Sequence, residues 1–327
     1  MRISAPCRLL MCAALVATVF TGCASEKGTQ AVSRDSEYQR MLELQRAKAS
    51  FYAADEKSKN VPEATWQTYA RLGDQYARQG NDLMAYVQYN KALQMDPKQS
   101  GVRYRLGHMY VSRGMIEEGE REFKEMLAKE PNNGLAYQGL GYAALSKGEF
   151  SEAEELLTKA VTLDPKLWQA HLYMGVAYDR QKAFDKAVEE YQKGIKVNPK
   201  SAALYNNLGL SYYLMGENTK SIEAFLLALR IEPENPRVYN NLGLVFSTVG
   251  RYEEAFEAFR KGKDDASAYN NLGYVYMAQQ NYAKAIEAFE KAIEISPSFY
   301  EKAHQNMQRA RSALKTEPTQ AAVPAKF

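Results

Sequence analysis

A two-residue motif, Leu or Met followed by Gly, returns along this chain at a nearly constant spacing. Seven copies occur, and the first six start at five successive intervals of 34 residues. The seventh starts 30 residues after the sixth. A fixed period of this length predicts an array of small structural units stacked along the chain. The motif begins at Leu72, Leu106, Leu140, Met174, Leu208, Leu242 and Leu272.

The residues around each copy of the motif repeat as well. An aromatic residue usually follows four positions after the Leu or Met, a small residue follows at thirteen, and an aromatic residue or Leu follows at seventeen. Proline closes six of the seven copies at position twenty-five. This skeleton resembles the tetratricopeptide repeat, a helical hairpin of about 34 residues. The resemblance implies an all-α fold, a superhelical solenoid of about seven hairpin repeats over residues 66–297.

Glycines mark both the turns and the close contacts of these hairpins. Glycine suits the left-handed backbone conformation that follows the end of a helix. Five glycines therefore predict the turn inside a hairpin: Gly80, Gly114, Gly148, Gly216 and Gly250. The motif glycine lies inside the first helix, where glycine costs about 0.8–1 kcal/mol relative to alanine. We therefore expect the two helices to approach closely there. The small residues of the second helices, which include Ala85 and Ser221, are predicted to face these glycines.

One repeat departs from the pattern. From Gly262 to Tyr269 the chain is four residues shorter than the same stretch elsewhere, and the closing proline is absent. Four residues make about one helical turn. The sequence predicts a shortened second helix or an altered junction here. It leaves open whether the change is drift in a connection or a functional kink.

The N-terminus has the composition of an export signal. Arg2 and Arg8 flank its start, and an apolar run of twelve residues follows from Leu9 to Phe20. This run is too short to span a bilayer, which needs about 20 residues. Thr21-Gly22 before Cys23 resembles a bacterial lipobox, where the signal is removed before a cysteine that is then acylated. An ordinary signal peptide with a chance cysteine is the alternative.

The lipobox resemblance implies a location in the bacterial cell envelope. It predicts a signal peptide at residues 1–22 and a lipidated Cys23 that carries two or three acyl chains, palmitate among them. By the same resemblance, Ala24 in place of Asp implies the outer membrane, with the protein facing the periplasm. The other two cysteines, Cys7 and Cys12, would leave with the signal, so no disulfide is expected within the mature chain.

Four further segments are predicted outside the repeats. Polar residues without periodicity predict a flexible tether at residues 23–35. Apolar residues at helical spacing predict a capping region at residues 36–65 and a capping helix at residues 298–314, which would cover the end repeats. Residues 315–327 contain two prolines and are expected to be a disordered tail.

Composition and motifs argue against several classes of function. The formal net charge is +3 and acidic and basic residues alternate along every repeat, whereas a nucleic-acid-binding domain usually concentrates basic residues on one face. His108, His171 and His304 lie far apart, and no phosphate loop, nucleophile motif or metal-ligand spacing occurs. We therefore expect no nucleic acid partner, no enzyme activity, no cofactor and no metal. An unrecognised hydrolase remains a third hypothesis.

The tetratricopeptide resemblance implies protein binding by a concave groove lined by the first helices. In such arrays, ligand-facing residues lie two and five positions before the motif Leu, and two, five and six after it. Three repeats read Tyr-Asn-Asn-Leu-Gly there, and carboxamides offer both a donor and an acceptor to an extended peptide. The first asparagine of each pair is predicted to face the groove and the second to be structural. The candidate groove residues are Arg78, Tyr104, Gln138, Tyr142, Arg180, Asn206, Tyr213, Arg237, Asn240, Asn270 and Tyr274.

A longer stretch resembles one family of envelope lipoproteins. It begins Arg237-Val-Tyr-Asn-Asn-Leu-Gly-Leu-Val, continues as Gly250-Arg-Tyr-Glu-Glu-Ala, and reaches Asp265-Ala-Ser-Ala-Tyr-Asn-Asn-Leu after the shortened repeat. This is similar to the TadD family of tight-adherence (Flp-type) pilus assembly. The resemblance implies an outer-membrane-anchored scaffold in pilus or secretin biogenesis. The alternative is an adaptor like NlpI, which presents peptidoglycan hydrolases or proteases to substrates; the oligomeric state stays open.

Overall fold

A computed structural model describes residues 65–296 and 300–316 of the chain. These residues form fifteen α-helices and no strand. The predicted all-α fold class is confirmed. The signal, the tether, almost all of the N-terminal capping region and most of the tail lie outside the described residues. The helices are α1 (Trp66–Arg78), α2 (Asp82–Met95), α3 (Ser100–Ser112), α4 (Ile116–Lys129), α5 (Gly134–Lys147), α6 (Phe150–Leu163), α7 (Trp168–Arg180), α8 (Phe184–Val197), α9 (Ala202–Met215), α10 (Asn218–Ile231), α11 (Pro236–Thr248), α12 (Tyr252–Gly262), α13 (Asp265–Ala278), α14 (Tyr282–Ile295) and α15 (Tyr300–Thr316).

The described residues belong to two compact units. Those up to Ala177 form one, here called the N-terminal unit, and those from Tyr178 onward form the C-terminal unit. In the N-terminal unit α1 packs on α2, α3 on α4, and α5 on α6. In the C-terminal unit the hairpins are α9 with α10, α11 with α12, and α13 with α14, and α15 packs on α14. Each of these hairpins joins two consecutive helices of one repeat, as the 34-residue period predicts.

The turn inside each hairpin is left-handed. All five predicted turn glycines have positive φ, from 71° at Gly80 to 85° at Gly148 and Gly216, so this prediction is confirmed. Two hairpins use another residue, because Lys182 and Gln280 both have φ of 61°. Lysine and glutamine carry no sequence signal for this conformation, although the backbone there turns in the same way.

The shortened repeat ends its second helix early. α12 has 11 residues, whereas α10 and α14 have 14 each. Helix α13 follows directly, with Asp264 as its N-cap, and the Asp264 carboxylate accepts a hydrogen bond from the Ser267 backbone N–H at 2.7 Å. Lys263 is the C-cap of α12, and the aspartate cap starts α13 at the next residue without the usual proline. The predicted shortening of the second helix is confirmed.

A bulky side chain of the second helix fills the space above the motif glycine. A Cβ atom added at Gly209 would lie 2.8 Å from the ring of Phe225, and one at Gly273 would lie 2.4 Å from the ring of Phe289. The small residue instead contacts backbone, since the Ser221 hydroxyl donates to the Gly209 carbonyl at 2.7 Å. The small residue therefore lies against the backbone of the motif glycine, as predicted, and the space left by the absent glycine side chain is filled by the ring, which was not predicted.

Phe123 gives the sharpest test of this packing. A Cβ at Gly107 would lie 2.6 Å from its ring, which is fully buried. We expect Gly107→Ala to lower the free energy of unfolding by about 1–3 kcal/mol, because the ring has no room to move aside. Gly101 lies in the same helix with no neighbouring atom within 4 Å, so Gly101→Ala should be neutral or stabilising by up to about 1 kcal/mol. Urea unfolding measures both variants, and equal stabilities would contradict the ring-over-glycine contact.

Candidate protein-binding surfaces

Three pairs of asparagines lie on successive first helices of the C-terminal unit. Asn241 Nδ2 donates to Asn206 Oδ1 at 2.9 Å, and Asn271 Nδ2 donates to Asn240 Oδ1 at 3.3 Å. Each of these bonds joins the second asparagine of one repeat to the first asparagine of the repeat before it. Asn206 Nδ2 also donates to its neighbour at 3.2 Å. We call the six residues the asparagine network: Asn206, Asn207, Asn240, Asn241, Asn270 and Asn271.

In two of the three pairs the asparagines differ in exposure, and not as the sequence predicts. Asn206 and Asn270 are only 8% and 6% exposed, whereas Asn207, Asn271 and both members of the middle pair, Asn240 and Asn241, are half-buried. The carbonyl oxygens of Asn241 and Asn271 accept no hydrogen bond from the described residues. The second asparagines, predicted to be structural, therefore present the open acceptors. Asn206 and Asn240 hold them in position.

The shortened repeat contacts this network directly. A Cβ atom at Gly262 would lie 2.7 Å from Asn240 Oδ1 and 3.3 Å from the Pro236 carbonyl oxygen. Only glycine leaves room at this point for the carboxamide that accepts from Asn271. The hydrogen bond between repeats is thus kept although this repeat is four residues shorter.

The other predicted groove residues of the C-terminal unit differ in how exposed they are to solvent. Arg237 and Arg180 are exposed, and Tyr274 is half-buried with its ring edge-on to Phe289 at 5.8 Å. Tyr213 has no exposed surface, and its hydroxyl accepts from Thr248 Oγ1 at 3.4 Å. Tyr213 is therefore a core residue that cannot touch a partner, contrary to the sequence-based expectation.

In the N-terminal unit, aromatic residues from three first helices form one cluster. His108 stacks on Tyr142 with ring centroids 4.6 Å apart, and Tyr142 stacks on Tyr173 at 4.8 Å. His108 Nε2 lies 2.9 Å from Tyr173 Oη. Gln138 Nε2 donates to Tyr104 Oη at 2.6 Å, and the Tyr104 and Tyr173 hydroxyls are hydrogen-bonded. We call Tyr104, His108, Tyr142 and Tyr173 the aromatic cluster.

Sequence spacing finds part of this cluster. It singles out Tyr104, Gln138 and Tyr142, and the structure brings all three together, with Gln138 fully buried as a support for Tyr104. His108 stands two residues after its motif Leu, as Tyr142 does, so the same spacing rule could have found it. Tyr173 directly precedes its motif Met, a position outside that rule. Arg78, the remaining predicted residue of this unit, is exposed at the end of α1.

Burial keeps the aromatic cluster uncharged at neutral pH. Desolvation raises the pKa of the Tyr104 hydroxyl to about 12 and raises that of Tyr173 well above its ordinary value. Desolvation also lowers the pKa of His108 below 6.5. The imidazole is therefore neutral at pH 7, with one ring nitrogen protonated. This surface offers rings and hydroxyls to a partner, and no net charge.

A half-buried carboxylate at the start of the C-terminal unit, that of Asp179, was not predicted. Tyr191 Oη donates to Asp179 Oδ2 at 2.7 Å, and Ser211 Oγ donates to Asp179 Oδ1 at 2.8 Å. Desolvation raises the pKa of Asp179 to about 6, although both hydrogen bonds act to lower it. Neutral donors only partly replace the water that a carboxylate loses on burial.

The part of the chain that the structure describes contains neither a candidate metal site nor a candidate membrane-spanning helix. No three or more His, Cys, Asp or Glu side chains there are grouped so that they could hold a metal ion. None of the helices in the same residues combines the length and apolar character needed to cross a bilayer.

Family models match more than half of the chain. Two models of the tetratricopeptide repeat match residues 266–299 and residues 104–167 and 140–196. A third, described as a TPR repeat, matches residues 180–216 and 209–250. All three are models of repeats, and none describes an enzyme. No curated protein matches the chain.

Several solved structures are similar in fold. The APC/C hetero-tetramer Cut9-Hcn1 is 20% identical with a TM-score of 0.56, over 83% of this chain and 52% of that one. The structure of pilF from Pseudomonas aeruginosa is 19% identical with a TM-score of 0.51, over 64% of this chain and 96% of that one. MamA is 31% identical with a TM-score of 0.42, over 48% of this chain and 92% of that one. The first two likenesses show the fold alone.

The pKa of Asp179 predicts how stability depends on pH. Because its pKa is raised from 3.8 to about 6 on folding, the folded state binds more protons in this window, and the free energy of unfolding falls as pH rises through it. We expect wild type to lose about 2–3 kcal/mol relative to Asp179→Asn between pH 3.5 and pH 7. Chemical unfolding at several pH values measures the difference. Asp185→Asn, at an exposed residue of α8, is the control, and parallel curves for wild type and Asp179→Asn would contradict the prediction.

Proposed function

The chain belongs to the tetratricopeptide repeat family, and we propose that it is a non-catalytic scaffold that binds partner proteins of the bacterial cell envelope. The asparagine network is the observation that carries this proposal. Asn241 and Asn271 are half-buried residues on successive first helices, and their carboxamide oxygens have no donor among the described residues. An extended peptide carries an N–H group on every residue except proline, and these groups match such acceptors.

The network suits recognition of a backbone more than recognition of a particular side chain. Each carboxamide oxygen can accept a peptide N–H, and each free carboxamide N–H can donate to a peptide carbonyl. The bonds from Asn241 to Asn206 and from Asn271 to Asn240 fix the direction of each amide before a partner arrives. Fixed side chains lose less conformational entropy on binding, which favours affinity.

The envelope location rests on the N-terminal sequence. The lipobox-like Thr21-Gly22-Cys23 supports an acylated Cys23 and attachment to the outer membrane, with the repeats in the periplasm. Resemblance of residues 237–272 to the TadD family supports a partner in pilus or secretin assembly. The scaffold would then hold a pilus or secretion component beside the membrane.

The groove function is tested by crosslinking in cells. A photoreactive residue in place of the exposed Arg237 is expected to capture a periplasmic or outer-membrane partner, identified by mass spectrometry. The double variant Asn241→Ala/Asn271→Ala should reduce capture by about 10- to 100-fold, because each lost hydrogen bond contributes about 0.5–1.5 kcal/mol. Asn132→Ala, at an exposed asparagine between α4 and α5, is the matched control. A melting curve shows that each variant is folded.

The outcomes of this experiment separate the hypotheses. Capture of a secretin or another envelope component of pilus assembly supports the proposal, whereas capture of murein hydrolases or proteases would favour the NlpI-like alternative. Capture that is unchanged in the double variant would show that the asparagine network does not bind the partner. Capture of nonspecific envelope proteins alone would refute a groove function.

The lipid anchor has its own test. We expect Cys23→Ser to abolish incorporation of a radioactive fatty acid and to release the protein from the membrane fraction, because each buried methylene contributes about 0.8 kcal/mol to anchoring. Cys12→Ser changes a cysteine inside the predicted signal and should leave labelling intact. Labelling that persists in Cys23→Ser would disprove the anchor.

A further inference from the structure

A cavity of about 340 Å³ lies beside the aromatic cluster in the N-terminal unit. Its walls include four rings and one thioether from a buried methionine, together with the polar side chains of Asp82 and Gln169. The exposed Ser112 and two arginines lie at its edge. The wall residues used in the argument are Tyr89, Tyr104, His108, Met109 and Tyr173.

The charges at the edge of the cavity are balanced. Arg105 Nη1 pairs with Asp74 Oδ2 at 2.9 Å, and Arg113 Nη2 pairs with Asp82 Oδ2 at 2.7 Å. The aromatic cluster itself is uncharged at pH 7, as its shifted pKa values require. A charged occupant would lose hydration without finding an unpaired opposite charge. The electrostatics therefore favour a neutral occupant.

The walls favour an aromatic occupant over an aliphatic one. Ring pairs in edge-on or offset geometry gain about 0.5–1.5 kcal/mol beyond the burial of apolar area. Met109 adds a thioether, and sulfur also makes favourable contacts with ring edges. A planar ring can contact several of these groups at once, whereas a branched aliphatic side chain gains area burial alone.

We propose that this cavity binds one uncharged aromatic side chain of a partner polypeptide. This inference rests on the proposed scaffold function and adds a side-chain preference to it. The asparagine network of the C-terminal unit would bind backbone groups, which every partner carries. The cavity would select among partners by one residue.

The test uses N-acetyl-phenylalaninamide as the probe and full-length protein labelled with ¹³C at the methionine methyl groups. A saturable shift of the Met109 methyl signal is expected at millimolar probe, while the buried Met126, which does not line the cavity, stays unchanged. N-acetyl-leucinamide and N-acetyl-glutamic acid amide should bind several-fold more weakly. A Met109 signal that does not respond, or that responds equally to all three probes, would overturn the proposal.

Two matched variants complete the test. Ser112 and Ser146 are exposed and occupy the same position in consecutive repeats, and each hydroxyl bonds a carbonyl of its own helix. Ser112→Phe should fill the cavity and weaken the probe at least about tenfold, whereas Ser146→Phe, outside the cavity, should bind as wild type does. Equal binding by both variants would place the probe elsewhere. Crosslinking at Arg237 reports on the scaffold function separately, so failure of the cavity and failure of the scaffold are distinguishable.

Discussion

The contact on which the hairpins depend is a large side chain of the second helix packed directly over a glycine of the first. In six repeats a Cβ atom at the motif glycine would lie 2.4–2.8 Å from that side chain. The side chain is Leu157 in one repeat and an aromatic ring in the others, and each is buried. Glycine weakens a helix interior, so the packing gained must exceed that cost at every repeat. Because this contact lies between the helices, the outer face of each first helix can vary in sequence without loss of the hairpin.

Sequence reasoning predicts the hairpins well for the same physical reason. The period, the turn glycines and the prolines all act locally, through φ/ψ preferences and side-chain volume, so each can be interpreted from a few residues. The shortened α12 could also be predicted, because missing residues must be taken from a helix or a connection. The partner of the motif glycine was harder to assign. The small residue and the ring lie one helical turn apart on the second helix, and periodicity alone does not say which of them faces the glycine.

The candidate surfaces were only partly predictable, because they depend on contacts between repeats. Neighbouring asparagines on a helix point about 100° apart, so a small rotation decides which one is buried. The structure buries Asn206 and exposes more of Asn207, and it makes Asn206 the acceptor for Asn241, which is distant in sequence. In the same way, Tyr173 joins the aromatic cluster through His108 and Tyr142 from two other helices. Spacing within one repeat carries no information about such partners.

The shortened repeat shows how a local change supports a surface. Its sequence alone is compatible with drift in a connection or with a functional kink. In the structure Gly262 ends α12 against the Asn240 carboxamide, at a distance where any Cβ atom would collide with the oxygen that accepts from Asn271. The equivalent bond from Asn241 to Asn206 forms in a repeat whose second helix keeps its full 14 residues. The bond therefore does not require the early end of α12, but at position 262 it requires glycine, which keeps the asparagine network continuous from α11 to α13.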